Sequence, residues 1–170
     1  MDKQSTTLIY GLIGYPVKHS LSPAIHNAAF KACGINAEYR LFEVKPEELE
    51  DFLLKDIPVK DVNGNSFSSQ EIIGFNVTIP HKVRTREILE SNFPFDKNAN
   101  QQHRDLFYVM LSGAVNTVKR ENGKLSYFNT DAEGFLKSLE GDLNFVTKDK
   151  KVLIIGCGGA GRSGRRRHQW

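Results

Sequence analysis

Apolar positions along this chain follow two periods in turn, and each change of period marks an element. TTLIYGLIG at 6–14 is a continuous apolar run with the length of a buried strand. Pro23 to Cys33 then reads as a helix, with Ser22 at its N-cap, Pro23 in its first turn and Gly34 at its C-cap. EYRLFEV gives a second strand. PEELEDFLL at 46–54 gives a second helix: its Pro comes first, its acids fill the first turn, and Leu49, Phe52 and Leu53 share one side. After a polar loop, DVNGNSFSSQ, a third strand follows in EIIGFNVT at 71–78. HKVRTREILES then offers Val83, Ile88 and Leu89 to one helical face. AVNTVKR, Asn122-Gly123 and KLSYF read as a hairpin or a turn between short strands, and Asp131 to Leu139 as a helix weakened by Gly134.

Strand and helix in alternation predict an α/β fold with a mostly parallel sheet flanked by helices, because a parallel pair needs a crossover element. The last segment adds a different signal. KVLII at 151–155 leads into GCGGAG at 156–161, and a strand running into G-x-G-x-x-G opens a dinucleotide-binding fold. Gly156 permits a tight turn, Gly158 lets backbone approach a pyrophosphate, and Gly161 allows close helix packing. RSGRRRHQW, which follows, has only Trp170 as a large apolar residue and so carries no helical stripe. The organisation expected is one α/β domain over 1–150, the first strand and Gly-rich loop of a Rossmann domain over 151–161, and an aberrant basic tail over 162–170.

Composition narrows the function classes. A chain of 170 residues can bury one sizeable core, and 39% hydrophobic with 25% charged residues is the balance of a soluble globular protein. No apolar stretch is long enough to span a bilayer, and the N-terminus lacks the parts of a signal peptide, so a cytoplasmic address is expected. Cys33 and Cys157 form no C-x-x-C pair and are expected as buried small hydrophobes. The formal charge of +3 falls to −1 without Arg162, Arg165, Arg166 and Arg167, so a basic partner-binding surface is not expected outside the tail. The partners expected are a small-molecule substrate and, as an open option, a second copy in a homodimer; nucleic acid and membrane are not expected.

Four polar clusters sit at the ends of elements, where α/β sheets bind ligands: HSLSP at 19–23, NVTIPHK at 76–82, AVNT at 114–117 and NTD at 129–131. In extended chain Ser20 and Ser22 point the same way, as do Asn76 with Thr78 and Asn129 with Asp131. Uncharged Ser, Thr and Asn suit a ligand with several hydroxyls, each of which needs matched donors and acceptors once desolvated. Interconverting a ketone and a secondary alcohol also needs an acid-base group at the reacting oxygen. Lys82 and Asp131 are the candidates, taken as a couple with the base left open. Each residue also has a structural alternative. Ser22 and Asp131 suit helix caps, Thr78 a strand end, Asn116 and Asn129 turns, and Lys82 a solvated helix. The five histidines show no metal-ligand spacing and are expected in surface or capping roles.

Five segments in order, GYPVKHSLSPAIHN, GFNVTIPHK, SGAVNTV, YFNTDAEGF and VLIIGCGGAG, resemble shikimate dehydrogenase. The resemblance covers most of residues 6–161. It implies an N-terminal α/β domain for shikimate, an NADP-binding Rossmann domain after it, and reversible NADPH-dependent reduction of 3-dehydroshikimate in aromatic amino acid biosynthesis. Ser20 and Ser22 then match residues that hold the substrate carboxylate, and Thr78, Asn116 and Asp131 match residues that contact ring hydroxyls. Lys82 matches the catalytic lysine that works with that aspartate, and Gly156, Gly158, Gly159 and Ala160 match the start of the phosphate loop. Residues 91–111 do not resemble the small-residue helical stretch that leads into GAVNT in that family. The expectation is a shikimate dehydrogenase sequence truncated in its second domain and inactive alone; a non-catalytic shikimate or quinate binding module is the alternative.

Overall fold

The apolar runs become strands and the amphipathic stretches become helices in the computed structural model, which describes residues 6–95, 103–146, 150, 151, 153, 155, 156 and 158. In chain order the elements are β1 (Leu8–Gly14), α1 (Ser22–Ala32), β2 (Ala37–Glu43), α2 (Leu49–Leu54), β3 (Pro58–Lys60), β4 (Ser66–Ser68) and β5 (Ile72–Val77). They continue with α3 (Lys82–Asn92), α4 (His103–Ser112), β6 (Thr117–Glu121), β7 (Lys124–Phe128) and α5 (Asp131–Lys137). A single 3-10 turn, Pro46–Glu48, precedes α2, and a π-helical turn, Ser138–Asp142, follows α5. The main sheet has the order β2-β1-β5-β6-β7. β1 pairs parallel with β2 on one side and β5 on the other, placing Leu12 beside Leu41 and Asn76, and Ile13 beside Phe42 and Val77.

Contacts divide the chain into two units, Met1–His81 with Val118–Ser126, and Lys82–Thr117 with Tyr127–Trp170. The first unit packs Leu12, Val17, Tyr39 and Leu41 with Tyr10, Phe30 and Val62. Its other fully buried side chains include Ile13, Phe42, Phe52, Leu53 and Ile72. Gly14 ends β1 without a side chain because a Cβ there would lie 2.5 Å from Thr78 Cγ2. Arg120 lies over the rings of Phe52 and Phe75 and donates from Nη2 to Phe52 O (2.7 Å) and from Nη1 to Leu53 O (3.1 Å). It thereby satisfies carbonyls at the end of α2 that have no partner within the helix. The second unit buries Ile88, Leu89, Tyr108, Val109, Val115 and Ala132.

The two-residue turn expected at Asn122-Gly123 is present, with φ of 51° and 73°, the pair of positive values that a type I′ hairpin requires. Several expectations are corrected. DVNGNSFSSQ is not a plain loop: β3 and β4 pair antiparallel around it, Val59 opposite Phe67. Asp61 organises the turn by accepting from the backbone N–H of Asn63 (2.9 Å) and Asn65 (2.8 Å), while its carboxylate pairs with Arg40. The residue at the N-cap position of α1 is Leu21 and not Ser22, and Cys33 holds the C-cap while Gly34 follows it at φ 65°. Cys33 is exposed rather than buried, because α1 has no buried residue and Cys33 lies beyond its end. Residues 91–111, despite their unusual composition, contain most of a helix, α4.

Candidate active site

In the second unit three backbone links bring the chemistry-bearing residues together. Val115 N–H donates to Lys82 O (2.9 Å), which ties the irregular segment ahead of β6 to the first residue of α3. Asn116 N–H donates to Phe128 O (3.1 Å), which ties it to the end of β7. Asp131 opens α5 directly after β7, with Thr130 at the N-cap position. Lys82 and Asp131 thus come from elements far apart in sequence, and Lys82 Nζ lies 2.6 Å from Asp131 Oδ2 with both side chains largely shielded. The ammonium and the carboxylate form a charge-assisted hydrogen bond. Such a couple can deliver a proton to a bound oxygen or remove one from it.

Asn116 meets the other carboxylate oxygen: its Nδ2 donates to Asp131 Oδ1 (2.7 Å) and to Thr130 Oγ1 (2.9 Å). Its Oδ1 accepts from Thr130 N–H (3.0 Å) and from the Thr117 hydroxyl (3.0 Å). One layer further in, Asn129 is buried, donating from Nδ2 to Ser112 Oγ and Ala114 O (both 2.9 Å) and accepting Asp131 N–H on Oδ1 (3.1 Å). Strand alternation predicts Asn129 beside Asp131 on one side, but the helix begins at Asp131 and the alternation stops there. Asn129 turns inward as a brace for the AVNT segment. Ser112, Thr117 and Thr130 are not among the individual site candidates of the sequence; the signal lies in Ser112 ahead of AVNT, Thr117 inside it and Thr130 inside NTD.

In the first unit Ser20 and Ser22 do converge. Ser20 Oγ donates to Ser22 Oγ (3.0 Å) and accepts Ser22 N–H (3.2 Å), both residues being half-buried. Thr78 follows β5, its N–H donating to Ile13 O (3.0 Å). Two residues earlier, Asn76 Oδ1 accepts the Tyr39 hydroxyl (2.8 Å). Burial raises the Tyr39 phenol well above its ordinary range, against a weaker pull down from Asn76, so it stays a donor. His26 stacks on the Tyr39 ring at 4.2 Å. His81 corrects the expectation of a surface or capping role for every histidine: it is fully buried and its Nε2–H donates to Val44 O at 2.6 Å.

Among the described residues no group of three His, Cys, Asp or Glu is arranged to hold a metal ion, and no helix is long and apolar enough to cross a membrane. Of the glycine-rich loop, Gly156 and Gly158 are described, whereas Gly159 and Ala160, like Cys157, lie outside the described residues. Gly156 has φ 110°, a conformation that favours glycine, and nothing lies within 4 Å of a Cβ built on either residue. That bare backbone fits the first part of a phosphate loop. The expected strand leading into it carries no pairing at its described residues, and Leu153 and Ile155 are exposed.

Several known proteins are similar to this chain. A shikimate dehydrogenase (NADP(+)) of Methanopyrus kandleri is 42% identical over 157 residues, covering 92% of this chain and 46% of the relative. The crystal structure of shikimate dehydrogenase from Aquifex aeolicus, 37% identical, superposes with a TM-score of 0.64 over 96% of this chain and 52% of its own. A shikimate 5-dehydrogenase from Thermus thermophilus, crystallised with NADP(H) and shikimate, is 29% identical with a TM-score of 0.68, over 92% and 50%. The chain therefore spans about half the length of the relatives it matches. Residues 12–101, more than half of the chain, match the profile of the shikimate dehydrogenase substrate binding domain, and the chain belongs to that family.

Proposed function

We propose that this chain is the substrate-holding part of an NADP-dependent shikimate dehydrogenase, which reduces 3-dehydroshikimate reversibly to shikimate. The observation that carries this reading is the Lys82–Asp131 couple at 2.6 Å with Asn116 on the second carboxylate oxygen. In reduction the couple gives a proton to the carbonyl oxygen as it becomes an alcohol; in oxidation it removes that proton. Ser20 and Ser22 take the substrate carboxylate, to which two neighbouring hydroxyls can donate. By the family pattern Thr78, Asn116 and Asp131 are the residues assigned to the ring hydroxyls.

NADP supplies the hydride chemistry when bound, and Gly156 and Gly158, with Gly159 and Ala160, are the residues of this chain that would meet its phosphates. The domain limits belonging to this reading are 1–150 for substrate and 151–161 for the start of the cofactor domain, in a cytoplasmic enzyme. Calorimetry with shikimate tests it: a saturable one-site heat is expected for the folded chain, and Lys82→Met should remove it. A folded chain that takes up neither shikimate nor 3-dehydroshikimate would overturn the reading.

A further inference from the structure

Helix α1 meets the main sheet without a single buried residue, and Leu21, just ahead of it, and Ile25 are 75% and 67% exposed. A short helix is held in most folds by an apolar face sunk into the core. On α1 a polar clamp takes a share of that work. Asn27 Nδ2 donates to Tyr39 O (3.1 Å), and its Oδ1 accepts Tyr39 N–H (2.7 Å). A backbone N–H only donates and a carbonyl only accepts, so the amide can face Tyr39 in this orientation alone. Ring contacts add to the clamp: His26 stacks on Tyr39, and Phe30 lies 5.4 Å from Tyr10. The clamp also has one place to sit. β2 is the edge strand of the sheet, where every second residue turns its N–H and C=O away from the neighbouring strand. On either side of Tyr39 those groups are engaged: Ala37 N–H donates to Ile35 O (2.9 Å), and Leu41 O accepts Val62 N–H (3.0 Å). Asn27 fills the edge between them as a further strand would.

We infer that Asn27 is a positioning residue that holds Ser20 and Ser22 in place for the ligand carboxylate, an inference that rests on the function proposed above. Ser22 opens α1 five residues before Asn27, about 7.5 Å along one helix. Ser20 is tied to Ser22 through its hydroxyl and its N–H. Two directional bonds to one residue resist both sliding of the helix along the strand and rotation about its axis, which a smooth apolar contact does not. The distance of the serine hydroxyls from the sheet is thereby set at Asn27, and a ligand held at its carboxylate inherits that setting.

A double-mutant cycle on shikimate affinity, measured by calorimetry on this chain, tests the link. Asn27→Leu keeps a branched side chain and removes donor and acceptor together. It should weaken binding about tenfold in the otherwise unchanged chain and no more than about twofold when Ser20→Ala and Ser22→Ala are already present. If Asn27 only stabilised the helix, unfolding would become easier while the folded chain kept its affinity; that outcome, or equal losses in both backgrounds, would overturn the inference. Asn27→Asp is the second variant: it keeps the shape of asparagine but turns a carboxylate oxygen toward Tyr39 O, and it should weaken shikimate as Asn27→Leu does. Unchanged affinity there would also count against it. Amide hydrogen exchange on the ligand-free chain covers the case in which neither variant folds. Tyr39 N–H should be protected as well as the amides paired between β1 and β2, and exchange as fast as that of an exposed amide would overturn the clamp. Should the unchanged chain bind no shikimate, the function proposed above fails, and the Ser22 amide signal in nuclear magnetic resonance still decides: it should move in Asn27→Leu, and a signal that stays would overturn the positioning role.

Discussion

At Asn116 hydrogen bonds to the protein surround one side-chain amide, whereas Ser20 and Ser22 bond to one another at the start of an exposed helix. Both clusters sit at the ends of elements, and both consist of small polar residues. The difference lies in what surrounds them. The Asn116 cluster is backed by a buried second layer, Asn129 and Ser112, and a group removed from it leaves partners without water. The serine hydroxyls are half-buried, so water replaces whatever is taken away. The first region holds its geometry through bonds within the protein; the second leaves part of its bonding to solvent.

The contrast is broken most severely at Lys82. Lys82→Met should lower NADPH-dependent turnover of 3-dehydroshikimate, measured in a complete enzyme carrying this domain, by about a hundredfold or more, the loss expected for a general acid-base group. A loss below tenfold would remove Lys82 from the chemistry. Next comes Asn129→Ala, which takes the acceptor from Asp131 N–H and one donor each from Ser112 Oγ and Ala114 O, and should cost about 2–3 kcal/mol in urea unfolding. The paired change Ser20→Ala with Ser22→Ala should shift stability by no more than about 0.5 kcal/mol while weakening shikimate about tenfold. If the serine pair costs as much stability as Asn129, the distinction between the two regions is lost.

A smaller effect sharpens the picture of the second unit. Burial, with the charge of Glu90 adding and that of Arg86 opposing, pushes the Tyr127 phenol from 10.0 up to about 12, while its hydroxyl donates to Phe93 O. Between pH 10 and 12 the unfolded chain gives up this proton first, so the contribution is present below pH 10 and is lost as pH rises to about 12. Chemical denaturation across that window should show stability falling with pH, and Tyr127→Phe should flatten part of the fall. An unchanged slope would mean that Tyr127 ionises in the fold at its ordinary value.

Long apolar runs and turn chemistry were legible in the sequence because each rests on local physics. β1, β2 and β5 declared themselves by composition, and the hairpin by Asn122-Gly123, which few other residues replace at two positive φ values. The β3–β4 pair was not legible, since three residues are too few to show an alternation and its order comes from Asp61, whose Arg40 partner belongs to another strand. Lys82 and Asp131 stood out because charged residues beside strand ends are few. The division of labour around them did not stand out: whether an asparagine such as Asn116 or Asn129 meets a ligand or a backbone depends on which atoms surround it. His81 shows the same limit, since only the fold brings Val44 O to its ring.

Arg120 has a consequence for how the chain can be made. The helix whose last carbonyls it satisfies ends at Leu54, and the sheet of the first unit is completed only by Val118–Ser126. A nascent chain must therefore release α3 and α4, which belong to the other unit, before the unit that began first can close. Until Arg120 emerges, the end of α2 has no guanidinium to dock, and β5 lacks the neighbour it has in the finished sheet. The second unit, begun later, is also completed later, since its own last segment follows Val118–Ser126 in the chain.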